Sequence, residues 1–299
     1  MIDFTNCTIN EFKTYRGANG GKASIIYNSQ QYMVKFPPLS KRNINMSYVN
    51  SCISEYLGCS IFKSLGFNTQ ETLLGSYTNS KGKEKIVVAC KDFENDGRNM
   101  QLREFSEIKN RTAIDSDDKG GSSTEVNEII EAIQLQKLIP SKELNDFFWD
   151  MFIADAFIGN FDRHNGNWGV LVNESQQHAE IAPIYDCGSC LYPQLDKENM
   201  PAVLKSEDEI NNRIFVFPTS AIQENNQKIN YFDYISSLKN NDCNAALLRI
   251  AQRINMAEIN KIIQDTPYIN STQKAFYGTM LAARKATIID FSVKTLDKA

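Results

Sequence analysis

Apolar positions fall in two patterns along this chain, short strand-like runs before about residue 95 and longer helical stripes after it. Ala23 to Tyr27 and Tyr32 to Phe36 are rich in β-branched and aromatic residues and predict two strands joined at Asn28-Ser29-Gln30, with Pro37-Pro38 stopping the second. Asn50 to Leu65 predicts a helix, opened by Asn50 or Ser51 and closed by Gly66. A second hairpin follows, from Glu71 to Tyr77 and Lys85 to Cys90, turning through Asn79-Ser80-Lys81-Gly82. Residues 115–124 are polar and glycine-rich, which predicts a mobile loop. Val126 to Leu138 predicts a helix, and Ser141 to Ile158 another that is apolar nearly all round and so deeply buried. After a further hairpin, the tail from 241 to 296 carries helical stripes such as Ile259-Ile262-Ile263 and Phe276-Met280-Leu281-Ile288, with Pro267 separating two of them. The order predicts a two-lobed α+β protein, with residues 1–95 as a small β-rich lobe and 96–299 as a larger, mainly helical one.

Composition narrows the class of protein. At 299 residues, with 42% apolar and 23% charged positions, the chain can bury a substantial core and is not of disordered type. A formal net charge of −4 argues against a nucleic-acid binder, which needs a basic surface to displace counterions. Seven cysteines at irregular spacing read as reduced thiols. Met1 to Asn6 lacks the basic start and apolar run of a signal peptide, and Phe147 to Ile158 is too short and too acidic to span a bilayer. The expectation is a cytoplasmic protein, with delivery to another cell left open.

One segment concentrates the chemistry: Gly159-Asn160-Phe161-Asp162-Arg163-His164-Asn165-Gly166-Asn167-Trp168-Gly169, placed just after the buried helix. Asp162 on such a loop can accept the proton of an attacking hydroxyl or hold it in line. Asn167 can offer an amide oxygen to a hard cation, and Asp186, beyond the next hairpin, can add a full negative charge. Magnesium takes few protein oxygens and keeps phosphates and waters, so these two suffice. The set is what phosphoryl transfer from ATP requires. The plainer reading, a turn capped by its own Asp and Asn, accounts for one or two of these residues but not for all of them.

Other candidates gain meaning from that loop. Lys35 ends a strand with apolar neighbours and could meet ATP phosphates, while Glu55 shares a helical stripe with Cys59 and Phe62 that turns it inward as a partner. Gly17, Ala18, Asn19, Gly20, Gly21 and Lys22 could present backbone N–H groups to phosphates, although this is not a Walker motif. Ala89, Cys90 and Lys91 end a strand at the junction of the lobes, where an adenine edge could bind. His164 either braces the loop or touches phosphate, and His178 falls in an expected turn. Cys187 and Cys190 have the spacing of half a zinc site, but no second pair exists, so packing of the turn after Asp186 is the better account.

Asp162-Arg163-His164-x-x-Asn167 followed by Tyr185-Asp186 resembles the HipA-like serine/threonine kinases, which share a distant kinase fold with phosphoinositide kinases. Met33-Val34-Lys35-Phe36-Pro37-Pro38, Ser54-Glu55-Tyr56, Ile86 to Phe93, Phe148 to Phe152 and Ala182 to Pro193 are similar to the cell-translocating branch of that family. The resemblance implies ATP and Mg²⁺ as cofactors, Asp162 as catalytic aspartate, and Asn167 with Asp186 as magnesium ligands. It further implies Lys35 on the phosphates with Glu55 holding it, His164 and Tyr185 near the nucleotide, residues 17–22 over the phosphates and 89–91 on the adenine. Partners implied are a protein acceptor and, among the family's toxins, an antitoxin. The nucleotide loop stands so near the chain start that no room is expected for the extra N-terminal subdomain of those toxins. Autophosphorylation is expected at Thr14, Tyr15 or Ser24, or at Ser122, Ser123 or Thr124. The alternatives are a phosphoinositide or small-molecule kinase, and a nucleotide-binding module without turnover.

Overall fold

The short runs of the first third of the chain assemble into one curled sheet. The computed structural model describes residues 2–15, 21–38, 47–94, 97–112 and 120–298. Strands β1 (Ile2–Asp3), β2 (Thr8–Ile9), β3 (Lys22–Tyr27), β4 (Gln30–Lys35), β5 (Thr72–Thr78) and β6 (Glu84–Lys91) lie in the order β1-β5-β6-β4-β3-β2. Helix α1 (Ser51–Ser64) runs between β4 and β5. The β3–β4 turn is tighter than expected. Asn28 and Ser29 both take positive φ, 48° and 61°, which matches a two-residue hairpin turn to the strand twist and leaves Gln30 paired with Tyr27 in the ladder.

Side-chain alternation in β6 shows how the sheet is used. Val87 and Ala89 pack outward with Phe4, Ile25, Tyr32 and Val34, whereas Val88 and Cys90 face α1 and join the main core. Period two then puts Met33 and Lys35 of β4 on the α1 side, opposite to Val34. Lys22 pairs directly with Lys35 across β3 and β4, so two ammonium groups leave one face of one sheet edge.

The rest of the chain wraps one long buried helix. It contains β7 (Gln101–Glu104), α2 (Phe105–Thr112), α3 (Val126–Leu135), α4 (Ser141–Ile158), β8 (Gly169–Asn173) and β9 (His178–Ile181), with the three strands forming a second sheet, β7-β8-β9. Then come α5 (Met200–Leu204), α6 (Glu207–Asn211), the hairpin β10 (Gln223–Glu224) and β11 (Gln227–Lys228), α7 (Tyr231–Ser236), α8 (Asn241–Arg253), α9 (Met256–Asp265), α10 (Ser271–Arg284) and α11 (Phe291–Leu296). The chain is π-helical over 212–216 and 285–290. Helix α4 is buried on all sides from Phe148 to Ile158, and its core continues without a break into α1 through Leu57, Ile61 and Phe62. The upper sheet therefore has no separate inner core of its own. It sits on α1, and α1 sits on the helical part.

Two sequence expectations are corrected, and one strand is added. The helix from Val126 stops at Leu135 and not at Leu138, because the Gln136 side chain takes over the backbone: its Nε2 donates to the carbonyls of Ile133 and Ile139, and its Oε1 accepts from the amides of Leu138 and Ile139. Strand β7 was not anticipated, since four residues with one large apolar side chain carry little pattern. His178 opens β9 instead of lying in a turn.

Candidate active site

The cleft between the first sheet and the helical part holds an ion triad drawn from three distant segments. Lys35 Nζ lies 3.0 Å from Glu55 Oε2 and 3.0 Å from Asp186 Oδ1. Glu55 is 1% exposed, whereas the Asp186 side chain is 43% exposed and faces open space. Burial works against the Lys35 charge, but Asp186 and Glu55 outweigh it and hold its pKa well above the ordinary value. Lys35 chiefly, with Lys22 helping, holds the Asp186 carboxyl below the usual carboxylate range. Burial and the nearby Lys35 together lower the pKa of Lys22.

Close backbone approach sets this geometry. A Cβ on Gly58 of α1 would stand 2.6 Å from Cys187 Cβ and 2.9 Å from Cys190 Sγ, so only glycine lets α1 seat against the turn after Asp186. The two cysteines pack that turn as small apolar residues, in line with expectation. Among the described residues, no cluster of three or more His, Cys, Asp or Glu side chains could hold a metal ion by itself. Asp186 takes φ 55°, a left-handed conformation that aspartate tolerates better than most residues and that is common where strain serves a site.

Asp162 follows the end of α4 through a left-handed Gly159 (φ 66°) packed against Pro218. The loop is anchored from beneath. Asn160 Nδ2 donates to Asp155 Oδ1 at 2.8 Å, its Oδ1 accepts from the Asp162 amide at 3.2 Å, and the Tyr231 hydroxyl donates to its carbonyl at 2.5 Å. His164 is exposed, whereas Arg163 before it points inward. Its Nε donates to Asp155 Oδ2 at 3.0 Å, and its Nη1 donates to the carbonyls of Asn167 (2.8 Å) and Tyr185 (2.5 Å). One guanidinium thus ties α4, the Asp162 loop and the strand end before Asp186 into a unit. Burial raises the Asp155 carboxyl even against Arg163, and raises Asp162 as well, with nearby Asp186 adding to the shift and His164 opposing it.

Asn167 completes the loop. Its Nδ2 donates to the Asp162 carbonyl at 2.7 Å, which leaves Oδ1 without a hydrogen bond from any described residue. The loop and the turn after the next hairpin therefore supply two carboxylates, Asp162 and Asp186, the latter paired with Lys35, and one amide oxygen without a hydrogen bond. Such a donor set fits a divalent ion of the magnesium type. His164 is exposed, and its Nδ1 accepts from the Gly166 amide at 3.0 Å, so it braces the turn while its other ring nitrogen stays open. Tyr185 donates to the Gly166 carbonyl at 3.1 Å, and its ring lies 5.8 Å from Phe93.

The remaining nucleotide candidates divide. Gly17, Ala18, Asn19 and Gly20 lie outside the described residues, while Gly21 accepts from the Phe36 amide at 3.0 Å beside Lys22. Ala89, Cys90 and Lys91 sit inside the ladder. The Lys91 amide already donates to the Glu71 carbonyl, and its own carbonyl accepts from Gln70 Nε2. Sequence reasoning gave no role to Asp155, Arg163, Asn160 or Tyr231. Asp155 carried a signal, since a carboxylate in a helix apolar all round must have a buried partner.

The model of the HipA-like C-terminal domain matches residues 16–266 of this chain. The chain belongs to that family. It is 50% identical over 290 residues to the serine/threonine-protein kinase CtkA of Helicobacter pylori strain J99, covering 97% of this chain and 86% of the relative. The crystal structure of the H. pylori proinflammatory kinase CtkA superposes with a TM-score of 0.91 at 48% identity, over 99% of both chains. HipA of Shewanella oneidensis MR-1, solved with HipB and operator DNA, shares the fold at a TM-score of 0.59 and 16% identity, over 98% of this chain and 70% of that one. The two-lobed α+β expectation and the family resemblance both hold.

Proposed function

We propose that this protein is a serine/threonine-protein kinase of HipA-like type that transfers the γ-phosphoryl group of ATP to protein hydroxyls. The observation that carries the reading is Lys35 held at 3.0 Å from both Glu55 and Asp186, beside an Asp162 close enough to feel the Asp186 charge. Identity of 50% to a named serine/threonine-protein kinase supports the activity, and the domain reading is a nucleotide lobe of 1–95 on a helical lobe of 96–299.

Lys35, with Lys22 beside it, neutralises the phosphate tail, and Glu55 keeps Lys35 extended toward it. Residues 17–22 cover the phosphates, and the Phe93–Tyr185 pair borders the base, next to 89–91. Asn167 Oδ1 and Asp186 would hold Mg²⁺, which when bound would neutralise charge on the phosphate tail. Asp162 receives the proton of a serine or threonine hydroxyl as its oxygen bonds to the γ-phosphorus. The bond from that phosphorus to the β–γ bridging oxygen breaks, and ADP leaves with the electron pair. Autophosphorylation at Thr14, Tyr15, Ser24, Ser122, Ser123 or Thr124 belongs to the same reading. Among the described residues no helix is long and apolar enough to cross a membrane.

The test is transfer from labelled ATP with Mg²⁺ to a generic protein acceptor, comparing the natural chain with Asp162→Asn. The variant should bind ATP in a thermal-shift assay yet turn over about 10²–10⁴-fold more slowly, the range for loss of a general base. An unchanged rate removes the assignment. Transfer to lipid but not to protein would move the reading to a phosphoinositide kinase.

A further inference from the structure

We propose that Lys228 is a specificity-determining residue that recognises an anionic side chain of the acceptor protein, close in sequence to the serine or threonine that is phosphorylated. The inference rests on the kinase reading above and adds the chemistry of the substrate segment.

Lys228 ends β11, in a hairpin exposed from Glu224 through Lys228. That hairpin is not a loose appendage. The Gln223 amide donates to the Thr124 carbonyl at 2.8 Å, the Thr124 hydroxyl donates to Ala221 at 2.8 Å, and the Asn226 amide donates to Glu125 Oε1 at 2.5 Å. The segment it grips is in turn tied to the catalytic loop, because Asn165 Nδ2 donates to the carbonyls of Ser123 (2.7 Å) and Gly121 (3.0 Å). On its other side, Ile229 bonds to Ser220 and Ile222, and Tyr231, three residues after Lys228, holds the Asn160 carbonyl. The hairpin is thus fixed to the Asp162 loop from both ends.

Charge on the two acids of the site is partitioned. Asp186 feels chiefly Lys35 and Lys22, which leave the nucleotide sheet. Asp162 feels Lys228, a lysine that lies outside its own loop. Among the described residues Lys228 forms no ion pair, whereas Lys35 is spent on Glu55 and Asp186. A protein hydroxyl delivered to Asp162 comes within the field of the lysine that acts on that carboxylate, on a hairpin tied to the catalytic loop. An unpaired ammonium on that anchored hairpin favours an acceptor segment carrying aspartate, glutamate or a phosphorylated residue, and disfavours a basic one.

The experiment uses the purified full chain with Mg-ATP and a positional peptide library around a fixed serine or threonine. The natural protein should favour acidic residues at a flanking position by about fivefold in kcat/KM, the scale of one exposed ion pair. Lys228→Ala should flatten that preference, and Lys228→Glu should invert it toward lysine and arginine, with KM for ATP unchanged. The same profile in all three proteins overturns the inference. So does a uniform change over all peptides, which would make Lys228 a tuner of Asp162 alone. A raised KM for ATP with an unaltered profile would also overturn it and place Lys228 on the nucleotide. Absence of transfer to every peptide and protein acceptor sinks the kinase reading first and this inference with it.

Discussion

Two buried ion pairs flank the cleft, and they are built in opposite ways. Asp155–Arg163 is sealed, with both side chains almost fully buried and nearly every polar atom spent. Asp155 takes Asn160 and Arg163, and Arg163 adds two backbone carbonyls and the Cys187 sulfur. Lys35–Glu55 is unfinished. Neither Glu55 oxygen has a hydrogen bond beyond the ion pair to Lys35, and Lys35 reaches past it to an acid that faces solvent. The sealed pair is a joint that holds backbone in place. The open pair is a cation kept charged and extended for something still to arrive. Burial of charge is costly in both places, and only the use made of the second partner differs.

The largest expected effect breaks the open pair. Lys35→Met should lower phosphoryl transfer by about 10²–10³-fold, as loss of one preorganised electrostatic contact does. It should also destabilise the fold by about 3–5 kcal/mol, since Glu55 is left buried alone. Adding Glu55→Leu should bring the unfolding midpoint back near that of the natural chain without returning activity. Recovered turnover in the double variant would mean that Lys35 is only a structural partner.

The sealed pair should respond differently. Replacing both Asp155 and Arg163, by leucine and methionine, should not restore stability, because the carbonyls of Asn167 and Tyr185 stay buried without a donor. Each orphaned acceptor costs about 1–3 kcal/mol, readable by urea unfolding. A double variant as stable as the natural chain would erase the contrast between the two pairs. The smallest effect sharpens the contrast further: Tyr231→Phe removes one donor to the Asn160 carbonyl and should cost about 1 kcal/mol, with activity falling only modestly.

How far the site could be read in advance follows from sequence distance. Asp162, His164 and Asn167 stand within six positions of each other after a helix, Ser141–Ile158, whose limits its own apolar pattern marks. Arg163 is in plain view in the same motif, yet nothing local says that it turns inward while its neighbours turn out. Its partner lies one helical end away, and the two carbonyls it holds belong to segments that meet only in three dimensions. Lys228 carries no motif at all. Its position matters only because Thr124, Glu125 and Asn165 stitch its hairpin to the catalytic loop. Gly58 is similar, an ordinary helical glycine until Cys187 and Cys190 are seen to occupy the space of its missing Cβ.

By itself the sequence determined most of the elements, the family and the short chemical loop, because periodicity, turn residues and motif spacing are properties of neighbours along a chain. It also put Lys35 and Glu55 on particular faces, since a strand alternates and a helix repeats every three to four residues. Only the tertiary structure decided which charges meet: that Lys35 bridges Glu55 and Asp186, that Arg163 locks the loop, and that Lys228 is left free. Coulomb and hydrogen-bond energies depend on distance through space and on exclusion of water, and neither is written in sequence order.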